Sequence, residues 1–482
     1  MTATRVRFAP SPTGYFHVGS ARSALFNWFV ARQADDGVFL LRIEDTDADR
    51  NREEWVDGIV EAMEWLGLHA DEGPFRQSDN APAHQAAIDQ LFAGGYLYFC
   101  DCTGDAVQSR KGDNKTPGYD GFCRDRGLER SATTGIRFKT PLEGGTTVRD
   151  LIRGDVEFSH SVIDDFIIAK SSGAVLFALA NVVDDRNDRI THVIRGEEHL
   201  PNTPKQILLW EALNAVTGVA TPTPVYAHLP LLVNEQRKKL SKRKDPVATE
   251  QYRDEGYLPE AFVNYLALLG WSPRGDEEKV PVAQLIAEFR LEDVSHSPAF
   301  FDVKKLQHLN GEYIREMPLE QFIAHSMPWV SPDPAAWSPS ALSLPWRPEQ
   351  FDYERYATIA PLVQERISLM SEIAPMIDFL FLPEPPMDAE AFAKSVAKDE
   401  TARVILRELA AELSTTSWDR DTLHACVVGV GERHEWNLRK TQAPVRCAVT
   451  GKLVGPPLFE SMELLGRDET IRRIVDAAER AS

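Results

Sequence analysis

Apolar positions in the first fifty residues fall into three blocks separated by turn chemistry. Val6-Arg-Phe-Ala9 is a short apolar stretch that stops at Pro10 and Pro12 and reads as a strand. Pro10-Ser-Pro-Thr-Gly14 reads as a loop. From Ser20 to Arg32, Ala21, Ala24, Leu25, Trp28 and Phe29 recur at three- and four-residue spacing, which predicts a helix. Val38-Phe-Leu-Leu-Arg-Ile43 is an apolar run of strand length, followed by Glu44-Asp-Thr-Asp47. Strand, helix and strand make a parallel βαβ unit. Ligands bind at the carboxyl ends of such strands, where the Pro10–Gly14 loop and the Glu44–Asp47 turn both fall.

Residues 100–170 break this rhythm. The stretch Arg110–Arg130 is rich in Gly, Asp and Lys, and Thr140–Thr147 is rich in turn residues, so an inserted domain is predicted. Strands are predicted again at Val175–Leu179 and Ile190–Ile194, then a helix over Pro204–Val216 and a strand near Tyr226–Val233. The sheet is therefore split by the insertion and completed after it. From Leu258 onward the pattern is helical, and Ala402–Leu413 and Thr470–Arg480 read as helices. Met327–Pro348 holds six prolines and three tryptophans and reads as an interdomain linker. No internal repeat is visible.

Composition narrows the class. A chain of 482 residues exceeds one compact domain and implies roughly three to five. Hydrophobic content of 43% and charged content of 26% are those of an ordinary globular protein. No apolar run is long enough to span a bilayer, and Met1-Thr-Ala-Thr-Arg-Val-Arg7 has no apolar signal core. A cytoplasmic protein without a membrane partner is expected. Five cysteines are an odd number and too few for a disulfide framework. A net charge of −20 argues against a non-specific nucleic-acid binder, though not against a nucleic acid held on local basic surface.

Two motifs carry the candidate chemistry. His17-Val-Gly-Ser20 opens the first predicted helix, whose N-terminus offers free N–H groups and partial positive charge to a phosphate. Gly19 lets a phosphate come close, and His17 can donate to a phosphate oxygen. No Gly-Lys-Ser/Thr follows, so this is not a Walker loop. Arg237-Lys-Lys-Leu-Ser-Lys-Arg-Lys244 places six cations in eight residues. Most charge runs are solvated loops, but mobile lysines are also what a departing pyrophosphate needs, and Ser241 between them can bond the phosphate chain. Both motifs together suggest adenylyl transfer.

The cysteines form a separate group. Cys100-Asp-Cys102 is followed by Cys123, so three of the five lie within 24 residues. Three sulfurs so spaced suit a tetrahedral, structural Zn²⁺, with Asp125 and His160 among the candidates for a fourth ligand. Cys426 and Cys447 sit in apolar helical surroundings and read as core.

His17-Val-Gly-Ser20 and Lys239-Leu-Ser-Lys-Arg243 resemble the HIGH and KMSKS signatures of class I aminoacyl-tRNA synthetases. The form seen here is similar to glutamyl-tRNA synthetases. Arg7-Phe-Ala-Pro-Ser-Pro-Thr-Gly14, Arg42-Ile-Glu-Asp-Thr-Asp47, Ala180-Asn-Val-Val-Asp-Asp185, Val193-Ile-Arg-Gly-Glu-Glu198 and Ala261–Trp271 match that family in order. Gln442–Gly451 and Pro457–Gly466 match its helical C-terminal region.

The resemblance implies a multidomain protein. A Rossmann-like α/β catalytic domain (1–99 and 173–236) is interrupted by an α/β acceptor-stem insertion (100–172). A stem-contact domain carrying the cationic loop (237–315) follows. Two all-α anticodon-binding domains (316–390 and 391–482) complete the chain. The implied reaction joins L-glutamate to the 3′ end of tRNA(Glu) through a glutamyl-adenylate, with Mg²⁺ bridging ATP phosphates, in a monomer. The alternatives are an enzyme that also charges tRNA(Gln) with glutamate, or a glutaminyl-tRNA synthetase, whose anticodon region is β-barrel rather than helical.

By the same resemblance, Arg7, Ala9, Ser11, Glu44, Phe177, Asn181 and Arg195 bind glutamate. Arg7 and Arg195 face its carboxylates and Glu44 its ammonium group. Ala9, Ser11, His17, Gly19, Ser20, Glu198, Leu231, Leu232, Lys239 and Lys242 bind ATP. His17, Lys239, Ser241 and Lys242 act in catalysis, and Arg366 reads the anticodon. Tyr119 becomes the fourth zinc ligand beside Cys100, Cys102 and Cys123. Two positions depart from the family. Phe177 stands where a tyrosine is usual, and His199 where some relatives carry tryptophan. An ordinary internal Arg7–Glu44 ion pair is the plainer account of those two residues.

Overall fold

The computed structural model describes residues 3–480, except 48, 112–117, 241–245, 334, 336 and 341. Ser241 and Lys242 thus lie outside the described residues. The chain divides into two compact units, Met1–Gln251 with Pro259–Val303, and Tyr252–Leu258 with Lys304–Ser482.

The first unit is built on strands β1 (Arg5–Phe8), β2 (Val38–Ile43), β3 (Glu72–Arg76), β4 (Leu97–Cys100), β5 (Gly135–Phe138), β6 (Gly145–Asp150), β7 (Gly154–Ser159), β8 (Ile167–Ala169), β9 (His192–Gly196) and β10 (Val225–Leu229). Its helices include α1 (Val18–Arg32), α2 (Glu53–Trp65), α3 (Ala81–Ala93), α4 (Gly104–Lys111), α5 (Phe177–Asn187) and α6 (Thr203–Thr217). Seven strands form one sheet in the order β3-β2-β1-β9-β10-β6-β7. All neighbours are parallel except the β6–β7 hairpin. The chain steps outward from β1 to β3 and later returns to β9 on the other side. The order therefore reverses between β1 and β9, and a crevice opens at their carboxyl ends.

Helix α1 starts two residues before the predicted Ser20, so His17 is its cap. Phe26 and Phe29 are fully buried and meet Phe289 at ring separations of 4.7 and 5.3 Å. Each such ring contributes about 1.5–3 kcal/mol by burial, which fixes α1 and hence the His17 end.

The predicted strand Val175–Leu179 is instead the entry to helix α5, with Leu179, Ala180, Val182 and Val183 buried. A short apolar run suits either state, and only the continued burial through Asp185 separates them. The strand near Tyr226–Val233 is two strands, β10 and β11 (Leu232–Val233), broken at Pro230. Ring closure removes the N–H that a continuous strand would need. β11 pairs with β12 (Ala299–Phe300), a strand inside the stretch predicted as wholly helical.

β5 and β8, in the region predicted as an insertion, form a three-stranded antiparallel sheet with β4, which runs up to that region's first residue. Phe138, Phe166 and Ile168 share one core with Leu91 of α3 and Leu209 of α6. The hairpin β6–β7 lies at the edge of the main sheet, pairing with β10 through Tyr226 and Asp150.

The second unit is helical. In Glu400–Leu413, Ala402, Ile405, Leu406, Leu409, Ala410 and Leu413 are buried along one face, the three- and four-residue spacing of an amphipathic helix. Arg467–Arg480 likewise buries Thr470, Arg473, Ile474, Ala477 and Ala478. The stretch predicted as a linker is anchored by its first and last tryptophans, while Trp337 between them is 39% exposed. Trp329 and Trp346 are buried, donating from Nε1 to Asp254 O and Val330 O at 3.1 Å each. Burying these two indoles with their N–H groups bonded contributes about 1.5–3 kcal/mol each. Among the described residues no helix is long and apolar enough to cross a membrane.

Candidate active site

A cavity of about 580 Å³ opens at the carboxyl ends of β1 and β9. It gathers most of the predicted residues. Arg7, Ala9, Ser11, Glu44, Phe177, Asn181 and Arg195 line one part. His17, Gly19, Ser20, Glu198, Leu231, Leu232 and Lys239 line the other.

Arg7 does not pair with Glu44. It donates from Nε and Nη2 to Asp185 at 3.0 and 3.2 Å, and Arg42 reaches the same carboxylate at 2.7 Å. Burial pushes the Asp185 carboxyl up, but Arg7 and Arg42 hold it below its ordinary value. Glu44 goes the other way, raised by burial despite Arg42 and Arg7. Its Oε1 accepts from Asn181 Nδ2 at 2.7 Å, and Asn181 Oδ1 accepts from Gln206 Nε2 at 3.1 Å.

Arg195 is held by Gln206 Oε1 at 2.6 Å and Thr203 Oγ1 at 2.8 Å, both through Nη2. Its buried Nη1 has no partner among the described residues. Burial, with Arg7 close by, lowers its guanidinium to about 10. A buried cation with an unspent donor on a cavity wall is a carboxylate receptor in waiting. Phe177 and His199 lie 5.5 Å apart between ring centres, and burial brings the imidazole down to about 4, so it is neutral near pH 7.

At the other part, His17 caps α1. Its Nδ1 accepts from the Ser20 N–H at 3.1 Å, and Nε2 stands 3.2 Å from Ser20 Oγ. A neutral ring accepting at Nδ1 carries its proton on Nε2, the nitrogen that can donate. A Cβ on Gly19 would sit 3.2 Å from that ring, so glycine makes room for the imidazole as well as for a ligand. A Cβ on Gly196 would fall 2.2 Å from Glu198 Oε2.

The two motifs, about 220 residues apart, meet here. Val18 N donates to Val247 O and Thr249 N to Phe16 O, each at 2.9 Å, so the chain leaving the cationic loop is sewn to the His17 segment. On the entering side Leu240 N donates to Leu232 O at 3.1 Å. Lys239 is exposed, its Nζ 3.7 Å from Glu198 Oε1.

Cys100, Cys102 and Cys123 converge with their sulfurs within 4.8 Å of one another. Tyr119 joins them, its hydroxyl 3.5 Å from Cys100 Sγ and 3.6 Å from Cys102 Sγ. Three sulfurs and one oxygen at such spacing match a tetrahedral metal shell. Arg110 and Arg126 donate to Cys102 and Cys123 sulfurs at 3.2 and 3.1 Å, and Arg137 lies 3.7 Å over the Tyr119 ring. This cationic shell suits an anionic ligand set. His160 is spent elsewhere, on Thr146 Oγ1 and Glu143 O, and neither it nor Asp125 belongs to the cluster. Arg366 is exposed in the second unit, where its charge adds to burial in lowering Arg446.

Sequence reasoning missed Asp185, Thr203, Gln206 and His228, which hold the predicted arginines, and Asp150, which holds His228. The available signal was a polar residue inside an apolar run, as in Val225-Tyr-Ala-His-Leu229.

Residues 3–308 match the family described as tRNA synthetases class I (E and Q), catalytic domain. Residues 321–478 match an anticodon binding domain. The chain is 55% identical over 478 residues to the glutamate–tRNA ligase of Frankia casuarinae, with 99% of this chain and 98% of that one covered. It is 54% identical over 471 residues to that of Salinispora tropica, covering 97% and 98%. The crystal structure of a glutamate tRNA ligase from Elizabethkingia meningosepticum in complex with its amino acid matches with a TM-score of 0.81 at 30% identity, covering 99% of this chain and 100% of that one.

Proposed function

The chain belongs to the class I glutamate–tRNA ligases, and from that premise we propose how its residues divide the work. The enzyme joins L-glutamate to tRNA at the expense of ATP. Arg195 takes the substrate side-chain carboxylate with its unspent Nη1, and Arg7 adds a second cation. Glu44 accepts the ammonium group, presented by Asn181. Bound in this way, the α-carboxylate faces the nucleotide part of the cavity and attacks the α-phosphorus of ATP, with pyrophosphate leaving. The 2′-hydroxyl of the terminal tRNA adenosine then displaces AMP. Catalysis is positioning and charge stabilisation, and no side chain is assigned as a general base.

His17 donates from Nε2 to the triphosphate, Gly19 and Ser20 receive it at the helix start, and Lys239 follows the departing pyrophosphate. Ala9, Ser11, Leu231 and Leu232 close the walls. Ser241 and Lys242 are assigned to the same phosphates by their place in the motif. Mg²⁺ accompanying ATP would neutralise phosphate charge.

The observation that carries this reading is the unpartnered Nη1 of Arg195 in the same cavity as Glu44 and the sewn cationic loop. Aminoacylation with purified glutamate and glutamine tRNAs, each tried with both amino acids, tests it. Glutamate is charged and glutamine is not, since a neutral amide would leave a buried cation unpaired at a cost of several kcal/mol. Equal charging of glutamine would refute the assignment. Acceptance of glutamine tRNA turns on the anticodon, for which Arg366 beside Arg446 supplies two cations.

We also assign one structural Zn²⁺ to Cys100, Cys102, Cys123 and Tyr119. When bound it orders the segment around the cluster and takes no part in the chemistry. Elemental analysis of protein purified without chelator should give about one zinc per chain, and a content near zero would remove the site. Tyr119→Phe should weaken zinc retention against a chelator by about tenfold or more, on the scale of losing a ligand-shell partner. Undiminished retention would put water in the fourth position.

A further inference from the structure

We infer that Asp150 and His228 are a positioning pair that aims Arg195 at the substrate carboxylate. The inference rests on the assignment of Arg195 as that carboxylate's partner. His228 in β10 is fully buried between β9 and β6. Its Nδ1 stands 2.6 Å from Asp150 Oδ2, which also accepts the His228 N–H at 3.0 Å. Asp150 is itself fixed, because Oδ1 accepts the Ile152 and Arg153 N–H groups at 2.9 Å. A carboxylate at Nδ1 keeps the proton there and leaves Nε2 a bare acceptor.

That Nε2 faces Arg195 Nε at 3.3 Å and Thr203 Oγ1 at 3.0 Å. Thr203 and Gln206 hold Arg195 Nη2. The guanidinium is thus gripped at Nε and Nη2, and among the described residues Nη1 alone remains unspent. A planar fork fixed at two nitrogens cannot swing, so the third is aimed before substrate arrives. The frame runs on through Gln206 and Asn181 to Glu44, tying the carboxylate receptor to the ammonium receptor.

The arrangement holds only while His228 is neutral. An imidazolium would set an Nε2–H against the Nε–H of Arg195, donor to donor and cation to cation. The charged and titratable groups facing His228 are Asp150 from β6, Arg153 from the turn after it, Arg195 from β9, and His199 from the turn at Glu197–Asn202. Tyr226 stacks from its own strand at 6.2 Å. Asp150 is the one anion among them. Burial keeps the imidazole below its ordinary value despite Asp150. The neutral form therefore prevails at pH 7, and acid breaks the pair.

The test is tRNA-dependent pyrophosphate exchange with full-length protein over about pH 5.5 to 8. His228→Phe should raise KM for glutamate about tenfold or more, the scale of a lost charged hydrogen bond. Its kcat and its KM for ATP should stay within about threefold. His228→Gln offers Arg195 a carbonyl acceptor and should recover most of the loss. It should also reduce the rise in KM for glutamate expected of the parent toward acid, leaving the part set by the raised Glu44 carboxyl. An unmoved KM for glutamate in His228→Phe, or an equally large loss in kcat and rise in KM for ATP, would overturn the proposal. If His228→Phe does not fold, the His228→Gln profile decides, and an acid limb identical to the parent's overturns it. A parent enzyme unable to use glutamate would instead overturn the reading of Arg195 itself.

Discussion

Arg195→Ala should lower kcat/KM for glutamate by about a thousandfold, near 4 kcal/mol, while the protein stays folded. The size follows from burial. Arg195 lies in the cavity wall, 8% exposed, where water cannot replace it. Truncation removes the substrate's partner and strands acceptors on Gln206 and His228. Stability should move little, for a reason visible in the charges. Burial and neighbouring Arg7 lower this guanidinium to about 10, so the folded state holds it at a cost. Removing a desolvated cation relieves that cost while opening a polar gap. Glutamate dependence of exchange and thermal unfolding should be measured together. A kcat/KM within about tenfold of the parent would remove Arg195 from the substrate's partners.

The divergence between activity and stability at Arg195 also marks the boundary of what the sequence discloses. The βαβ frame was legible because Ala21, Ala24, Leu25, Trp28 and Phe29 repeat at helical spacing and Val38–Ile43 does not. The phosphate end was legible because a cap, a glycine and a cationic run are local features. The frame behind Arg195 was not. Asp150, His228, Thr203 and Gln206 come from three segments, and each looks like an isolated polar residue in its own. Only the order β9-β10-β6 sets them together. Val175–Leu179 was misread for want of length, since five apolar residues carry no period. The buried ends of the stretch after Met327 were not legible, because proline signals a break in regular structure and says nothing of burial.

Lys239→Ala should slow glutamate activation about a hundredfold in kcat, the scale of losing one transition-state donor. KM for ATP should change by no more than about threefold. The distinction follows from where the lysine rests. Its side chain is 60% exposed and its Nζ stands 3.7 Å from Glu198, so without nucleotide it is neither buried nor tightly bonded. It contributes little to the ground state and is free to follow charge as pyrophosphate departs. Backbone bonds from Leu240 to Leu232 and from Val18 to Val247 hold both ends of the loop, so removing the side chain leaves its path in place. Activation and transfer separate the roles. Pyrophosphate exchange in the presence of tRNA should fall, while single-turnover transfer from preformed glutamyl-adenylate should not. The charge that Lys239 stabilises leaves with pyrophosphate, before the tRNA hydroxyl attacks. Equal slowing of both steps would mean that the lysine shapes the site for either reaction, and the pyrophosphate role would be wrong.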